Sequence, residues 1–244
     1  MYSILNEDFI KADIGGKKAR MIFADPPYGV TRLKYDNDGF DLDQFWSFCK
    51  NNLCEDGVVV VTAVFKFAMK VVESAPKNWF RYDLVWHKTA PTGHLNAKKM
   101  PMRSHELILV FSPSSKHVYN PQMTHGHKRK VSSAAHKAAC RESEVYGHAA
   151  PVDYDSTDRY PTSIQTFASD IRKGSFHPNQ KPVEMMRWII RTYTNIGDTI
   201  IDPVAGSGTT LIAAYEEGRE CICIEKDKQY YEKAVKRIDE RMSL

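Results

Sequence analysis

The sequence predicts an α/β protein built on a mainly parallel sheet with helices on both faces. Three observations carry this: seven short apolar runs of strand length, five stretches of helical spacing that separate most of them, and two runs that end abruptly in Pro-rich or Gly-rich loops. Residues 2–5 form the first run and 21–24 the second, which leads into two prolines. A helical stretch at 42–53 precedes the third run, 58–62, and another at 65–74 precedes the fourth, 82–86; the fifth, 106–111, follows without one. Further on, helical stretch 182–193 leads to run 199–201, stretch 209–217 leads to run 221–224, and a last helical stretch covers 228–241. Strands separated by helices need crossover connections, the wiring of a parallel sheet buried on both sides. Seven strands in one sheet are therefore expected.

The pattern breaks between Ser112 and Ser175, where Ser, His, Lys, Gly and Pro dominate. A stretch of roughly 60 irregular residues inside a domain is uncommon without a function of its own, which favours an insertion or lid over a plain linker. Hydrophobic content of 42% and charged content of 26% are ordinary globular values. No apolar run approaches the roughly 20 residues that span a bilayer, and the first nine residues lack the basic start and apolar stretch of a signal peptide. A cytoplasmic protein is expected.

The five cysteines are odd in number and contain no CxxC pair, so reduced thiols are expected. His125, His127, His136 and Cys140 lack a paired ligand half, and no metal is expected. The net charge of +4 is modest, but residues 107–141 contain no Asp or Glu while Lys116, Lys128, Arg129, Lys130, Lys137 and Arg141 add six positive charges. A solvated basic loop is the bland account; a polyanionic partner is the sharper one. Tyr146, Tyr154 and Tyr160 in this region suit packing or base stacking.

Two motifs carry chemistry. In the first, Ile22-Phe23-Ala24 runs into Asp25-Pro26-Pro27-Tyr28. Ligands of open α/β sheets collect beyond the carboxyl ends of strands, where this tetrapeptide falls. Adjacent prolines stiffen the loop and remove N–H donors, leaving carbonyls as acceptors. An exocyclic amine has two N–H donors, which the Asp25 carboxylate and a carbonyl near Pro26 could both hold. That would draw the nitrogen lone pair away from the ring toward an electrophile, with Tyr28 stacked on the base. A rigid turn with Asp25 as its cap explains the same letters without chemistry.

The second motif weighs against that plainer account. Ile200-Ile201-Asp202-Pro203-Val204-Ala205-Gly206-Ser207-Gly208-Thr209-Thr210 is a strand, a Gly-rich turn and a helix start. Glycines let backbone approach a ligand, and a helix N-terminus favours negative groups. It is not a P-loop, because Thr209 follows Gly208 where Lys is required, nor a dinucleotide fingerprint, because the third Gly is missing. About 20 residues on, the run 221–224 ends in Glu225, the position of an acid that holds ribose hydroxyls. A nucleoside cofactor is implied.

With these motifs the chain resembles the beta group of amino-DNA methyltransferases, which methylate N6 of adenine or N4 of cytosine. In that group the DPPY motif precedes the target-recognition region and the Gly motif comes last, as here. Leu5-Asn6-Glu7-Asp8-Phe9, Leu84-Val85-Trp86-His87-Lys88, Ser104-His105-Glu106-Leu107 and His177-Pro178-Asn179-Gln180-Lys181-Pro182 extend the resemblance over most of the chain. It implies a Rossmann-like, class I S-adenosylmethionine-dependent fold: a seven-stranded, mostly parallel sheet in circularly permuted order. Residues 1–112 and 171–244 would form the catalytic and cofactor-binding domain, and 113–170 the target-recognition insertion.

It further implies catalysis by Asp25, Pro26, Pro27 and Tyr28. S-adenosylmethionine would be bound by Asp8, Lys181, Asp202, Pro203, Ala205, Gly206, Ser207, Gly208, Thr209, Thr210 and Glu225, with Lys181 a candidate for its carboxylate. Lys116, Lys128, Arg129, Lys130, Lys137 and Arg141 would contact phosphates of double-stranded or single-stranded DNA. DPPY leans toward adenine-N6; cytosine-N4 methylation and a non-catalytic DNA-binding role are the alternatives. The family contains monomers and homodimers, so oligomeric state stays open.

Overall fold

A computed structural model describes residues 1–29, 39–135, 153–168 and 180–242. The described strands are β1 (Tyr2–Leu5), β2 (Ala19–Ala24), β3 (Leu53–Ala63), β4 (Phe80–Thr92), β5 (Arg103–Phe111), β6 (Lys130–Ser132), β7 (Tyr154–Ser156), β8 (Ile164–Phe167), β9 (Thr199–Asp202) and β10 (Glu220–Ile224). The helices are α1 (Leu42–Asn52), α2 (Phe65–Ser74), α3 (Val183–Tyr193), α4 (Thr209–Glu216) and α5 (Lys228–Met242). All seven runs and all five helical stretches read from the sequence are present. No described helix is long and apolar enough to cross a membrane.

Eight strands form one sheet in the order β1-β10-β9-β2-β3-β5-β4-β8. The five from β1 to β3 are mutually parallel, β5 runs antiparallel to both neighbours, and β8 pairs in parallel with β4. Alternation along the strands explains why the sheet is covered twice. Met21, Phe23, Val58 and Val60 point into one core with Met185, Met186, Ile189, Ile190, Leu211, Ile212 and Ile238 of α3, α4 and α5. Ile22, Ala24, Val59 and Val61 point into the other with Phe45, Trp46, Cys49, Phe67 and Val71 of α1 and α2. Helix α4 buries Thr209 through Ala214 without interruption, as expected of a helix apolar nearly all round.

The strand order places the site. Between β2 and β9 the chain's wiring reverses, with β3 on one side and β10 and β1 on the other, so a crevice opens beyond their carboxyl ends. The register Met21↔Ile200 and Ile22↔Ile201 carries Asp25 and Asp202 out side by side. Pairing of β1 with β10, Leu5↔Ile224, likewise brings the segment around Asp8 beside Glu225.

The eighth strand departs from the expected seven. Ile164–Phe167 falls inside the region expected to be an insertion, yet it widens the main sheet. The reason lies in β4, which is thirteen residues long and has an outer edge to satisfy; Val85 donates to the Ser163 carbonyl (2.7 Å) and Trp86 Nε1 to that of Phe167 (3.1 Å). The two compact units are accordingly Met1–Asn120 with Ser163–Leu244, and Pro121–Thr162, so the smaller unit is narrower than 113–170.

The smaller unit is an antiparallel pair, β6 with β7, tied by a Thr124–Arg159 bridge. The Arg159 guanidinium fastens it by donating to the carbonyls of Lys128, Ser156 (3.1 Å) and Asp158 (2.7 Å). Charge looks different here from its linear count. The Asp-free stretch read from the sequence is met by acids from 153–158: Arg129 forms a two-point ion pair with Asp155, Nε to Oδ1 at 2.7 Å, and His125 lies 2.9 Å from Asp158.

Candidate active site and cofactor cleft

A cavity of about 1550 Å³ opens at the crevice and is lined by both motifs. At one wall stands Asp25, whose described contacts all fall on Oδ1. Tyr28 Oη donates to it at 2.6 Å, Thr62 Oγ1 donates to it, and Lys181 Nζ lies 2.7 Å away. Three donors on one oxygen fix the carboxylate plane and leave Oδ2 as the free acceptor. Thr62 reaches the cluster because β3 lies beside β2, with Ala24↔Val61 in register.

Lys181 is 8% exposed and serves a second carboxylate, Glu106, whose Oε2 lies 3.3 Å from Nζ. Glu106 Oε1 accepts from Lys88, which also stands over the Trp86 ring at 4.9 Å. The result is a chain of alternating charge, Lys88–Glu106–Lys181–Asp25, running from β4 through β5 to the site. Burial disfavours the charged form of Glu106, but Lys181 and Lys88 outweigh it and hold the carboxyl below its usual value. Burial likewise opposes the Lys181 charge, and Asp25 and Glu106 overcome it. Burial first, and then Asp25, push the Tyr28 phenol well above its ordinary value, so it stays a hydrogen-bond donor. The Tyr28 ring packs on Phe67 with centroids 5.5 Å apart.

The other wall is the Gly-rich turn between β9 and α4. Gly206 and Gly208 have φ of 54° and 72°, which glycine adopts at little cost. A Cβ on Gly208 would meet Ile238 Cδ1 at 2.9 Å, so this glycine also lets α5 pack close. At Gly206 the space is open, with only the Val204 carbonyl at 4.0 Å. Asp202 holds the turn by accepting from Val204 N–H (3.0 Å) and from the Thr210 hydroxyl. Glu225 does so from the next strand, Oε2 accepting from Gly206 N–H and Oε1 from Asp227 N–H, each at 2.8 Å. Buried Arg237 of α5 donates to the Ser207 carbonyl (2.8 Å), the Ser207 hydroxyl (3.1 Å) and the Thr209 hydroxyl (2.9 Å).

Burial raises the Asp202 carboxyl from 3.8 to about 7. An acid whose folded value is raised contributes most to stability in acid; that contribution falls as pH climbs from about 4 toward 7 and stays lost above. Asp202→Asn keeps an acceptor for Val204 and offers Thr210 a donor, so it should flatten this fall. The variant's urea midpoint is expected to gain on that of the parent between pH 5 and pH 8. A difference that does not grow with pH would count against the raised value.

The model of the DNA methylase family, N6_N4_Mtase, matches residues 19–236, which includes both walls of the cavity. The chain belongs to this DNA methylase family. Among curated proteins it is similar to the type II methyltransferase M2.DpnII of Streptococcus pneumoniae, 26% identical over 90% of this chain and 82% of that one. It is also similar to the DNA adenine methyltransferase YhdJ of Escherichia coli, 25% identical over 93% of this chain and 78% of that one. Among solved structures its fold is like that of the M1.HpyAVI–SAM complex, with a TM-score of 0.68 at 22% identity and full coverage of both chains. The cytosine-N4-specific PvuII DNA methyltransferase shares the fold at a TM-score of 0.64 and 15% identity, over 99% of this chain and 91% of that one.

Within this methylase, the structure gathers Asp8, Asp25, Pro26, Pro27, Tyr28, Lys181, Asp202, Pro203, Ala205, Gly206, Ser207, Thr209, Thr210 and Glu225 around one cavity, whereas Gly208 is not among its lining and packs against Ile238. Asp8 accepts from Ile10 N–H (3.2 Å) and faces Lys226 Nζ at 3.6 Å. The Lys181 ammonium sits between Asp25 and Glu106 at the edge of this cavity. Lys116, Lys128, Arg129 and Lys130 are exposed, and the charge of Arg129 is met by Asp155. Lys137 and Arg141, with His136, Cys140 and His177 to Asn179, lie outside the described residues.

The sequence reading assigned no role to Thr62, Lys88, Gln180, Arg237 or the Glu106 carboxylate. Thr62 is a buried hydroxyl at a strand end, a signal the sequence does contain. Arg237 lies on a helix dense with charge, where only packing tells the buried cation from its exposed neighbours.

Proposed function

We propose that this methylase transfers a methyl group from S-adenosylmethionine to N6 of an adenine flipped out of duplex DNA. The observation that carries the reading is the loading of Asp25, with three donors on Oδ1 and Oδ2 left to accept. The cleft fits the cofactor. Gly206 leaves backbone open to the cavity, Glu225 retains unused lone pairs for ribose hydroxyls, and the buried Gln180 Oε1 lacks a hydrogen-bond partner among the described residues. Asp8, Gln180, Gly206, Ser207, Thr209 and Glu225 would hold it. When bound, S-adenosylmethionine supplies a methyl group activated by its sulfonium.

The chain's own groups do the rest. Asp25 Oδ2 and the Pro26 carbonyl accept the two N–H bonds of the target amine, turning its lone pair out of the ring. Forming the N–C bond requires loss of one N–H proton, for which Asp25 is the acceptor the chain supplies. Lys181, Thr62 and Tyr28 keep the carboxylate from swinging, so orientation is set before the base arrives. Adenine is favoured over cytosine by DPPY and by similarity to a DNA adenine methyltransferase. In this reading the unit Pro121–Thr162, with Lys128 and Lys130 exposed, contacts DNA in selecting the target.

Labelled methyl transfer to unmodified DNA, followed by nucleoside mass analysis, tests the proposal. N6-methyladenine is the expected product. N4-methylcytosine would keep the mechanism and change the base, and transfer to neither would overturn the reading.

A further inference from the structure

The connection from β4 to β5 is the longest uninterrupted exposed stretch among the described residues: every residue from Pro91 to Arg103 is exposed. It is nevertheless built. Gly93 turns the chain at φ 90°, residues His94–Asn96 form a 3-10 turn, and Asn96 accepts from Lys99 N–H (2.8 Å) and Met100 N–H (3.0 Å) through its carbonyl. At this ordered tip stand Leu95, 89% exposed, and Met100, 59% exposed. A lone exposed leucine needs no explanation, but this tip has a second distinguishing property. No Asp or Glu occurs from Leu84 to Ser104 or at His105, while Lys98, Lys99 and Arg103 are exposed and paired with no described carboxylate.

Its position relates it to the chemistry. Thr89, Pro91, Asn96, Met100 and Arg103 line the same cavity as Asp25 and Tyr28. An apolar tip flanked by cations with no described carboxylate partner, at the rim of the cleft, matches what a flipped nucleotide requires: phosphates held outside and the gap in the stack filled.

We propose that the β4–β5 hairpin is a duplex-DNA contact element in which Leu95 enters the base stack vacated by the target, while Lys98, Lys99 and Arg103 hold the flanking phosphates. This rests on the methylase reading above. The hairpin lies outside the 113–170 region to which the sequence directs attention, and its cations, with no carboxylate partner among the described residues, give it the charge complementarity that Arg129, paired with Asp155, lacks.

The test compares Leu95→Ala, and the double variant Lys98→Ala with Lys99→Ala, on two substrates. One is a matched duplex carrying a target first mapped on methylated plasmid DNA; the other is the same duplex with an abasic site opposite that target, which opens the pair in advance. Leu95→Ala is expected to lower kcat/KM by about tenfold on the matched duplex and by less than about twofold on the opened one. The double lysine variant should raise KM on both and reduce the salt slope of binding by roughly two. Equal losses on both substrates for Leu95→Ala, or no loss on either, would overturn the proposal while the parent's activity keeps the methylase reading intact. A changed sedimentation of free Leu95→Ala with an unchanged matched-to-opened ratio would assign the tip to contact between chains and overturn it too. A parent enzyme that methylates no DNA would overturn both readings together.

Discussion

Asp25→Asn is expected to lower single-turnover methyl transfer by about 10²–10⁴-fold while leaving S-adenosylmethionine affinity nearly unchanged. The substitution keeps size and shape, so its effect isolates polarity. Tyr28, Thr62 and Lys181 all present donors to the Oδ1 side, which compels the asparagine to place its carbonyl there. Its amide N–H₂ must then face the cavity, where it opposes an amine that also carries only N–H donors. The lone pair of the target nitrogen is no longer drawn from the ring, and no carboxylate remains to take the proton. Cofactor binding should be spared because Glu225, Gly206 and Gln180, the residues proposed to hold it, are contributed by other elements. Calorimetric titration of the cofactor beside a rapid-quench transfer assay measures both quantities. Affinity and turnover collapsing together would make Asp25 a structural residue and sink the assignment.

Lys181→Met should have the largest effect on stability, about 3–5 kcal/mol at neutral pH. The side chain is nearly buried and its ammonium is shared by two carboxylates, so its removal leaves Asp25 and Glu106 partly desolvated with only Lys88 to compensate. Methionine fills the stem's volume, which confines the change to charge. Glu106, held below its usual value, contributes stability that is present above the ordinary carboxylate range and lost as pH falls through its folded value. The deficit of the variant should therefore narrow as pH drops toward 4, where protonation relieves the uncompensated carboxyl. Urea unfolding at pH 7 and pH 4.5 checks this. A deficit independent of pH would point to lost packing instead of lost charge.

How much of this was legible in the sequence differs between the two walls of the cleft. The Gly-rich wall was almost fully readable, because its parts are local. A Gly-rich turn must follow its strand directly, and Glu225 must end the next strand, so spacing alone locates them. The Asp25 wall was readable only at its centre. Asp25 and its prolines are contiguous, but Thr62, Lys88, Glu106 and Lys181 arrive from four other segments. For Lys181, the contact of its ammonium with Asp25 follows from the fold and from no spacing in the sequence. A linear charge count also treated Arg129 as available, until the β6–β7 pairing set Asp155 against it.

The sequence by itself determined the α/β class, the seven principal strands and the two motifs, because hydrophobic period and turn chemistry are properties of neighbouring residues. Only the tertiary structure decided that β8 joins the sheet, that three donors converge on one oxygen of Asp25, and that an alternating chain of charges stands behind it. Those are contacts between segments up to about 150 residues apart, as Lys181 is from Tyr28. They are fixed by strand order and by the requirement that a buried charge find its partner, and no local pattern encodes them.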